Sequence, residues 1–149
     1  MPSAFASTVI EAPAEVVWRV MLDLAGYGEW NPFIVKVDAP GGREARVGDD
    51  ITLHVRFRGA RRLVASHERI TRLEPHSLLE YQFRGPLHHT GMVRGRRVQL
   101  LERESATSVR YSTKERFIGL LAYAVPTKLV QDGFERHARA LKQRAETLV

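Results

Sequence analysis

Cysteine is absent from the 149 residues. That excludes disulfides, a thiolate nucleophile and every zinc site that needs a cysteine ligand. Long apolar runs are missing too: no stretch approaches the roughly 18 residues needed to span a bilayer. The N-terminal Met1-Pro2-Ser3-Ala4-Phe5 has no basic segment leading into an apolar one, so it does not read as a signal peptide, and a cytoplasmic location is expected. There is no Gly-x-Ser-x-Gly elbow. Neither Gly41-Gly42 nor Gly91 to Gly95 forms a phosphate-binding loop that opens a helix, which removes nucleotide binding there. His88 and His89 are adjacent, so on a strand they would point to opposite faces, and no His/Asp/Glu cluster has ligand spacing. No metal and no cofactor is expected; His88-His89 reads as part of a loop at a pocket mouth.

Charge is present in excess of one sign. The chain has 23 Lys+Arg against 17 Asp+Glu, a formal +6, which raises the question of nucleic acid. The distribution argues against it, because basic residues are interleaved with acids, as in Glu102-Arg103-Glu104 and Lys114-Glu115-Arg116. The densest groups, Arg56/Arg58/Arg61/Arg62 and Arg94/Arg96/Arg97, sit beside glycines and read as hairpin tips. A solvated basic surface is the expectation, compatible with peripheral contact with an anionic membrane surface.

Apolar residues make up 44% of the chain, enough for a folded core in one domain spanning residues 1–149. Ser3 to Glu11 reads as a strand that ends before Pro13. Pro13 and Glu15 suit the first turn of a helix, and Val16, Val17, Val20, Met21 and Leu24 continue it at helical spacing. A second short helix or turn carries Glu29-Trp30 and stops at Asn31-Pro32. From Phe33 the apolar period changes to two. Phe33 to Val37, Ile51 to Phe57, Arg62 to Leu73, Leu79 to Phe83, a segment around Val98 and Leu100, and Val109 to Phe117 are strand candidates. Their short links require antiparallel pairing. From about Pro126 the period becomes helical: Val130, Phe134, His137, Leu141, Ala145 and Leu148 form one stripe, on a helix of about 23 residues and roughly 35 Å. Gly133 interrupts it, which points to a close approach by another backbone. An α+β fold follows, a seven-stranded curved antiparallel sheet wrapped around the C-terminal helix, with two short helices after the first strand.

Ile10-Glu11-Ala12-Pro13-Ala14-Glu15-Val16-Val17-Trp18, then Tyr27-Gly28-Glu29-Trp30-Asn31-Pro32-Phe33, and finally Glu115-Arg116-Phe117-Ile118-Gly119-Leu120-Leu121 carry a resemblance. In these residues, and in element order over almost the whole chain, the sequence resembles the START-like superfamily, the polyketide cyclase/dehydrase and lipid-transport group to which the birch-pollen-allergen fold belongs. The resemblance implies a helix-grip fold with a hydrophobic pocket between sheet and helix. It does not imply one reaction, since the group holds carriers, cyclases and ligand-binding domains.

The strand period puts Leu53, Val55, Phe57, Leu79, Tyr81, Phe83, Val98, Leu100, Tyr111 and Phe117 on the inner face, with Arg56, Glu80 and Arg97 outside. Candidate ligand-binding residues are therefore Trp30, Phe33, Leu53, Val55, Phe57, Tyr81, Phe83, Tyr111, Thr113, Phe117, Val130, Phe134, His137 and Leu141. Trp30 is read either as a pocket wall or as a plug joining the helix pair to the sheet, with Asn31 bonding nearby backbone. Catalytic candidates are Glu115, whose strand parity aims a carboxylate inward, and His137, on the apolar stripe. The leading expectation is binding of a small lipophilic molecule in a carrier, sensor or sequestering role. The alternatives are a polyketide cyclase/dehydratase-like enzyme, favoured by converging acid and base, and a protein-interaction module, favoured by a filled interior.

Overall fold

The computed structural model describes residues 2–149. Strand β1 (Ser3–Ile10) leads through Pro13 into α1 (Ala14–Leu22), whose Val17, Trp18, Val20 and Met21 are buried. A 3-10 turn over Leu24–Glu29 follows. The chain then runs through β2 (Ile34–Asp38), β3 (Asp50–Val55), β4 (Val64–Glu74) and β5 (Leu78–Phe83). A one-turn helix α2 (Pro86–His89) precedes the long strands β6 (Arg94–Ser105) and β7 (Ser108–Ile118). A 3-10 turn at Ala122–Ala124 leads to α3 (Thr127–Glu146).

All seven strands form one sheet in the order β1-β7-β6-β5-β4-β3-β2, and each neighbouring pair is antiparallel. Register breaks at Ile34/Lys36, Ile70/Arg72 and Arg103/Ser105 add the twist and bend that curl the sheet. The curl gives the sheet a concave face, and α3 buries Val130, Phe134, His137, Ala138, Leu141 and Ala145 against it and against α1. Gly133 is where α3 passes over Phe33: a Cβ there would strike the Phe33 ring. The close approach is by a side chain and not by the backbone expected from the sequence, and it is what lets the ring stand between helix and sheet.

Helix α3 also covers the β1 edge. The Gln131 side-chain amide accepts from the Phe5 N–H at 2.7 Å and donates back to the Phe5 carbonyl. Farther along, Lys142 donates to the Val9 carbonyl at 2.9 Å and Glu146 accepts from the Glu11 N–H at 2.8 Å. Backbone groups that a further strand would use are thus occupied by side chains.

The inner row expected for β3, β5 and β7 is the one observed, but β6 presents its other face. Gly95, Arg97, Gln99 and Leu101 point inward and are buried, whereas Val98 and Leu100 lie half-buried on the outer face. Arg97, expected in solvent, is 2% exposed. It is also not part of a hairpin tip, since it lies within the strand. Glu80 keeps its outward parity but is covered, accepting a 2.7 Å hydrogen bond from the Thr71 hydroxyl. No helix of the described residues is long and apolar enough to cross a membrane.

Candidate functional site

A cavity of about 410 Å³ lies between the sheet and the N-terminal half of α3. Its wall is mostly apolar. Ile34, Leu53 and Val55 come from β2 and β3, and Val130 and Phe134 from α3. Five of the six phenylalanines line it: Phe33, Phe57, Phe83, Phe117 and Phe134. The open end is framed by Val64, Leu87 and the segment Leu121 to Pro126. There Leu87, Leu120 and Tyr123 are exposed, the last two by more than 80%. The Leu121 N–H donates to the Met92 carbonyl, tying this segment to the loop after α2. The His88-His89 pair accordingly sits on α2 at the mouth.

One side of the cavity is polar, and Arg97 organises it. Its Nε donates to Thr113 Oγ1 at 2.8 Å, one terminal nitrogen donates to Tyr81 Oη at 2.9 Å, and the other reaches Tyr111 Oη at 3.5 Å. The Tyr111 hydroxyl in turn donates to Gln99 Oε1 at 2.6 Å. The guanidinium lies 4.3 Å from the centre of the Phe134 ring, a cation–π contact. Three neutral oxygens and one aromatic face thus solvate a buried cation that has no carboxylate within ion-pair distance.

Two carboxyl groups face the same space. Glu115 is the cross-strand partner of Arg97 and also lines the cavity. A Cβ at Gly95 would stand 2.5 Å from Glu115 Oε2 and 3.2 Å from the Phe117 ring, so the glycine is the gap into which both side chains lean. Glu68, on β4, is 5% exposed and accepts the Ser66 hydroxyl at 3.1 Å on Oε2. Among the described residues, Glu68 Oε1 and both oxygens of Glu115 have no hydrogen-bond donor. Burial raises the Glu115 pKa from 4.5 to about 7, against the opposing pull of Arg97. Burial and then the Glu115 charge push Glu68 well above its ordinary value, while Ser66 and Arg97 pull it down. No group of three or more His, Asp or Glu among the described residues could hold a metal ion.

The sequence-derived candidates divide into two sets. Phe33, Leu53, Val55, Phe57, Tyr81, Phe83, Glu115, Phe117, Val130 and Phe134 stand on the cavity wall. Trp30, Tyr111, Thr113, His137 and Leu141 do not; they pack behind it. His137 is fully buried, stacked on Tyr111 with ring planes 1° apart and edge-on to Trp30 and Tyr27. The Asn31 amide donates to His137 Nδ1 at 3.1 Å, which leaves the proton on Nε2, an atom with no partner. Burial, with Arg97 adding to it, holds the His137 pKa well below 6.5, so the ring stays neutral. These surroundings make it a packing residue of α3. Ala138 and Ala145, small positions of the same stripe, are likewise core contacts and leave no cavity space. Glu68, Arg97, Leu87, Val93 and Leu121 were not anticipated from the sequence.

Asn31 holds the entry to β2. Its Oδ1 accepts the Phe33 and Ile34 N–H groups, each at 2.9 Å, while its amide reaches α3. Asn31→Ala leaves two backbone donors and His137 Nδ1 without partners, so a loss of about 1–3 kcal/mol is expected in chemical denaturation. Asn31→Asp, which keeps the acceptor, should recover part of it.

Comparison with known proteins agrees with this architecture. The Zhui aromatase/cyclase from Streptomyces sp. R1128 superposes with a TM-score of 0.77 at 18% identity, over 97% of this chain and 93% of that one. A START superfamily protein from Mycobacterium smegmatis matches with a TM-score of 0.74 at 15% identity, over 99% of both chains. A norcoclaurine synthase mutant from Thalictrum flavum matches with a TM-score of 0.69 at 15% identity, over 98% of this chain and 94% of that one. At these identities the likeness is one of fold. No curated protein sequence matches. The family model described as polyketide cyclase / dehydrase and lipid transport matches residues 1–146. With the helix-grip sheet and its lined cavity already in view, the chain belongs to that family and has a START-like fold.

Proposed function

We propose that the protein binds one small lipophilic molecule in the cavity between the sheet and α3, in a carrier, sensor or sequestering role. The observation that carries this reading is the cavity itself: about 410 Å³ of mostly apolar wall, open at one end and polar along one side. That combination suits an oily ligand with one or two polar groups. The Tyr81 phenol, already accepting from Arg97, keeps its own proton to donate, and the two carboxyls offer acceptors. A filled interior would have suited an interaction module instead. Glu115 favours a second reading, a cyclase- or dehydratase-like proton transfer, because a carboxyl with a pKa of about 7 on the cavity wall can take and return a proton near neutral pH. His137, walled off behind Tyr111, has no part in that reading.

Fluorescence titration with the neutral probe N-phenyl-1-naphthylamine tests the primary reading. Saturable one-to-one binding is expected. Val55→Trp fills part of the cavity and should weaken binding at least about tenfold, for an overpacking cost of roughly 1–3 kcal/mol in stability. Absence of saturation, or equal affinity in the variant, would overturn an internal site.

A further inference from the structure

The charged groups on the cavity wall do not balance. The titratable residues lining it are Glu68, Tyr81, Arg97 and Glu115. With both carboxyls ionised, the wall carries two negative charges against one positive. Arg97 does not cancel either carboxylate by contact: no carboxylate of the described residues lies within ion-pair distance of it, and Thr113, Tyr81 and Tyr111 take three of its five N–H donors. Glu68 is 5% exposed and its Oε1 meets no donor, and Glu115, half-buried on the same wall, has no donor on either oxygen among the described residues. A carboxyl oxygen on a mostly apolar wall that meets no protein donor keeps a proton, meets water, or accepts a donor from a ligand that displaces that water.

We infer that the polar side of the cavity takes the ammonium group of a lipophilic amine, held by Glu68 and Glu115 with the phenylalanine rings on the rest of the wall. This rests on the internal-site reading and names the ligand class for it. One ligand cation restores neutrality, and its N–H groups supply the missing donors. The walls suit an organic cation, because the faces of phenylalanines attract one, and Phe134 already holds the Arg97 guanidinium in that way. A divalent metal would need a fuller oxygen shell than two carboxyls and a phenol give. The chain's formal net charge of +6 is carried mostly by exposed groups, where salt screens it over about 8 Å.

Other titratable groups packed around the two carboxyls leave this balance unchanged. Tyr81 on β5, Tyr111 on β7 and Tyr27 before β2 are neutral, their pKa values raised by burial. His137 on α3 is neutral, and Arg97 on β6 remains charged. Amine binding therefore displaces a proton from the carboxyl pair when the solution is near or below neutrality.

Three probes with one apolar body separate the possibilities: 2-(1-naphthyl)ethylamine, 2-(1-naphthyl)ethanol and 1-naphthylacetate, titrated by calorimetry. Near pH 8 the amine is expected to bind at least about tenfold tighter than the alcohol, and the acetate weakest, with the amine's advantage falling toward unity near pH 5.5 as the carboxyls take up protons. Near pH 7, buffers of different ionisation heat should reveal proton release with the amine alone. Glu68→Gln/Glu115→Gln should erase the amine's advantage and leave alcohol binding within about threefold; a thermal melt checks that the variant is folded. Alcohol binding without preference for the amine, or a tightest acetate, overturns the amine inference and leaves the internal site standing. Failure of all three probes to saturate overturns both.

Discussion

Replacing Arg97 with methionine is expected to cost about 3–5 kcal/mol of stability near pH 8, measured by urea unfolding. The loss has two sources. Thr113, Tyr81 and Tyr111 lose the donor that satisfies their oxygens, and Glu68 and Glu115 lose the interior cation that holds their pKa values down. Near pH 5, where those carboxyls are protonated in the folded state, the second source disappears and the loss should shrink. Arg97→Lys keeps the charge but cannot serve three oxygens from one planar fork, so an intermediate loss is expected. Equal losses at the two pH values would mean that Arg97 acts through packing and hydrogen bonds alone.

Glu115 should give the second-largest effect, in the opposite direction. Its pKa is raised on folding, so between the unfolded and folded values the native state binds a proton that the unfolded chain has released. Stability therefore falls as pH rises from about 4.5 to about 7 and is lowest above that range. The rise from 4.5 to about 7 is worth about 3 kcal/mol. Glu115→Gln, neutral at every pH, should gain up to about that amount near pH 8 and little near pH 5. At the acid end, Asp49 has its pKa lowered by the Arg43 hydrogen bond, and the stability it contributes is lost as pH falls through that value. A stability maximum near pH 5 is expected, flattened in the Glu115→Gln variant. Thermal melts across the pH range would show it, and a native protein equally stable at pH 5 and pH 8 would contradict it.

The elements that were legible in the sequence are those whose apolar period has one solution. Ile51, Leu53 and Val55 alternate with polar neighbours, and so do Tyr111 and Phe117, so their inner faces follow directly. Strand β6 has no such asymmetry. Arg97 and Gln99 alternate with Val98 and Leu100, and hydrophobicity alone turns the apolar pair inward. Cross-strand register decides otherwise, setting Arg97 beside Tyr81 and Glu115, where its donors find oxygens. Glu68 was hidden for a related reason: β4 is polar on both parities over much of its length, and only the hairpin with β5 shows which side is inner. The stripe on α3 marked His137 and Leu141 as buried, which they are. Whether a buried position faces a cavity or solid core depends on where along the helix the sheet pulls away. That happens around Val130 and Phe134, about two to three turns before Leu141. The mouth segments around Leu87 and Leu121 have no period at all, so nothing local linked them to the site.

Strand β1 carries a consequence for how the molecule behaves in a crowd. An open sheet has two terminal strands, and a terminal strand with free backbone groups recruits another chain into intermolecular stacking. Along β1, the Gln131 amide imitates a peptide unit of the missing neighbour, while Lys142 and Glu146 hold the groups farther along. The opposite terminal strand, β2, is only five residues long, has a register break, and bears Lys36 and Asp38. Neither border offers a long straight template, so the sheet can remain open for a ligand without inviting strand-by-strand polymerisation, and the weak point is Gln131, whose loss would uncover the longer of the two borders.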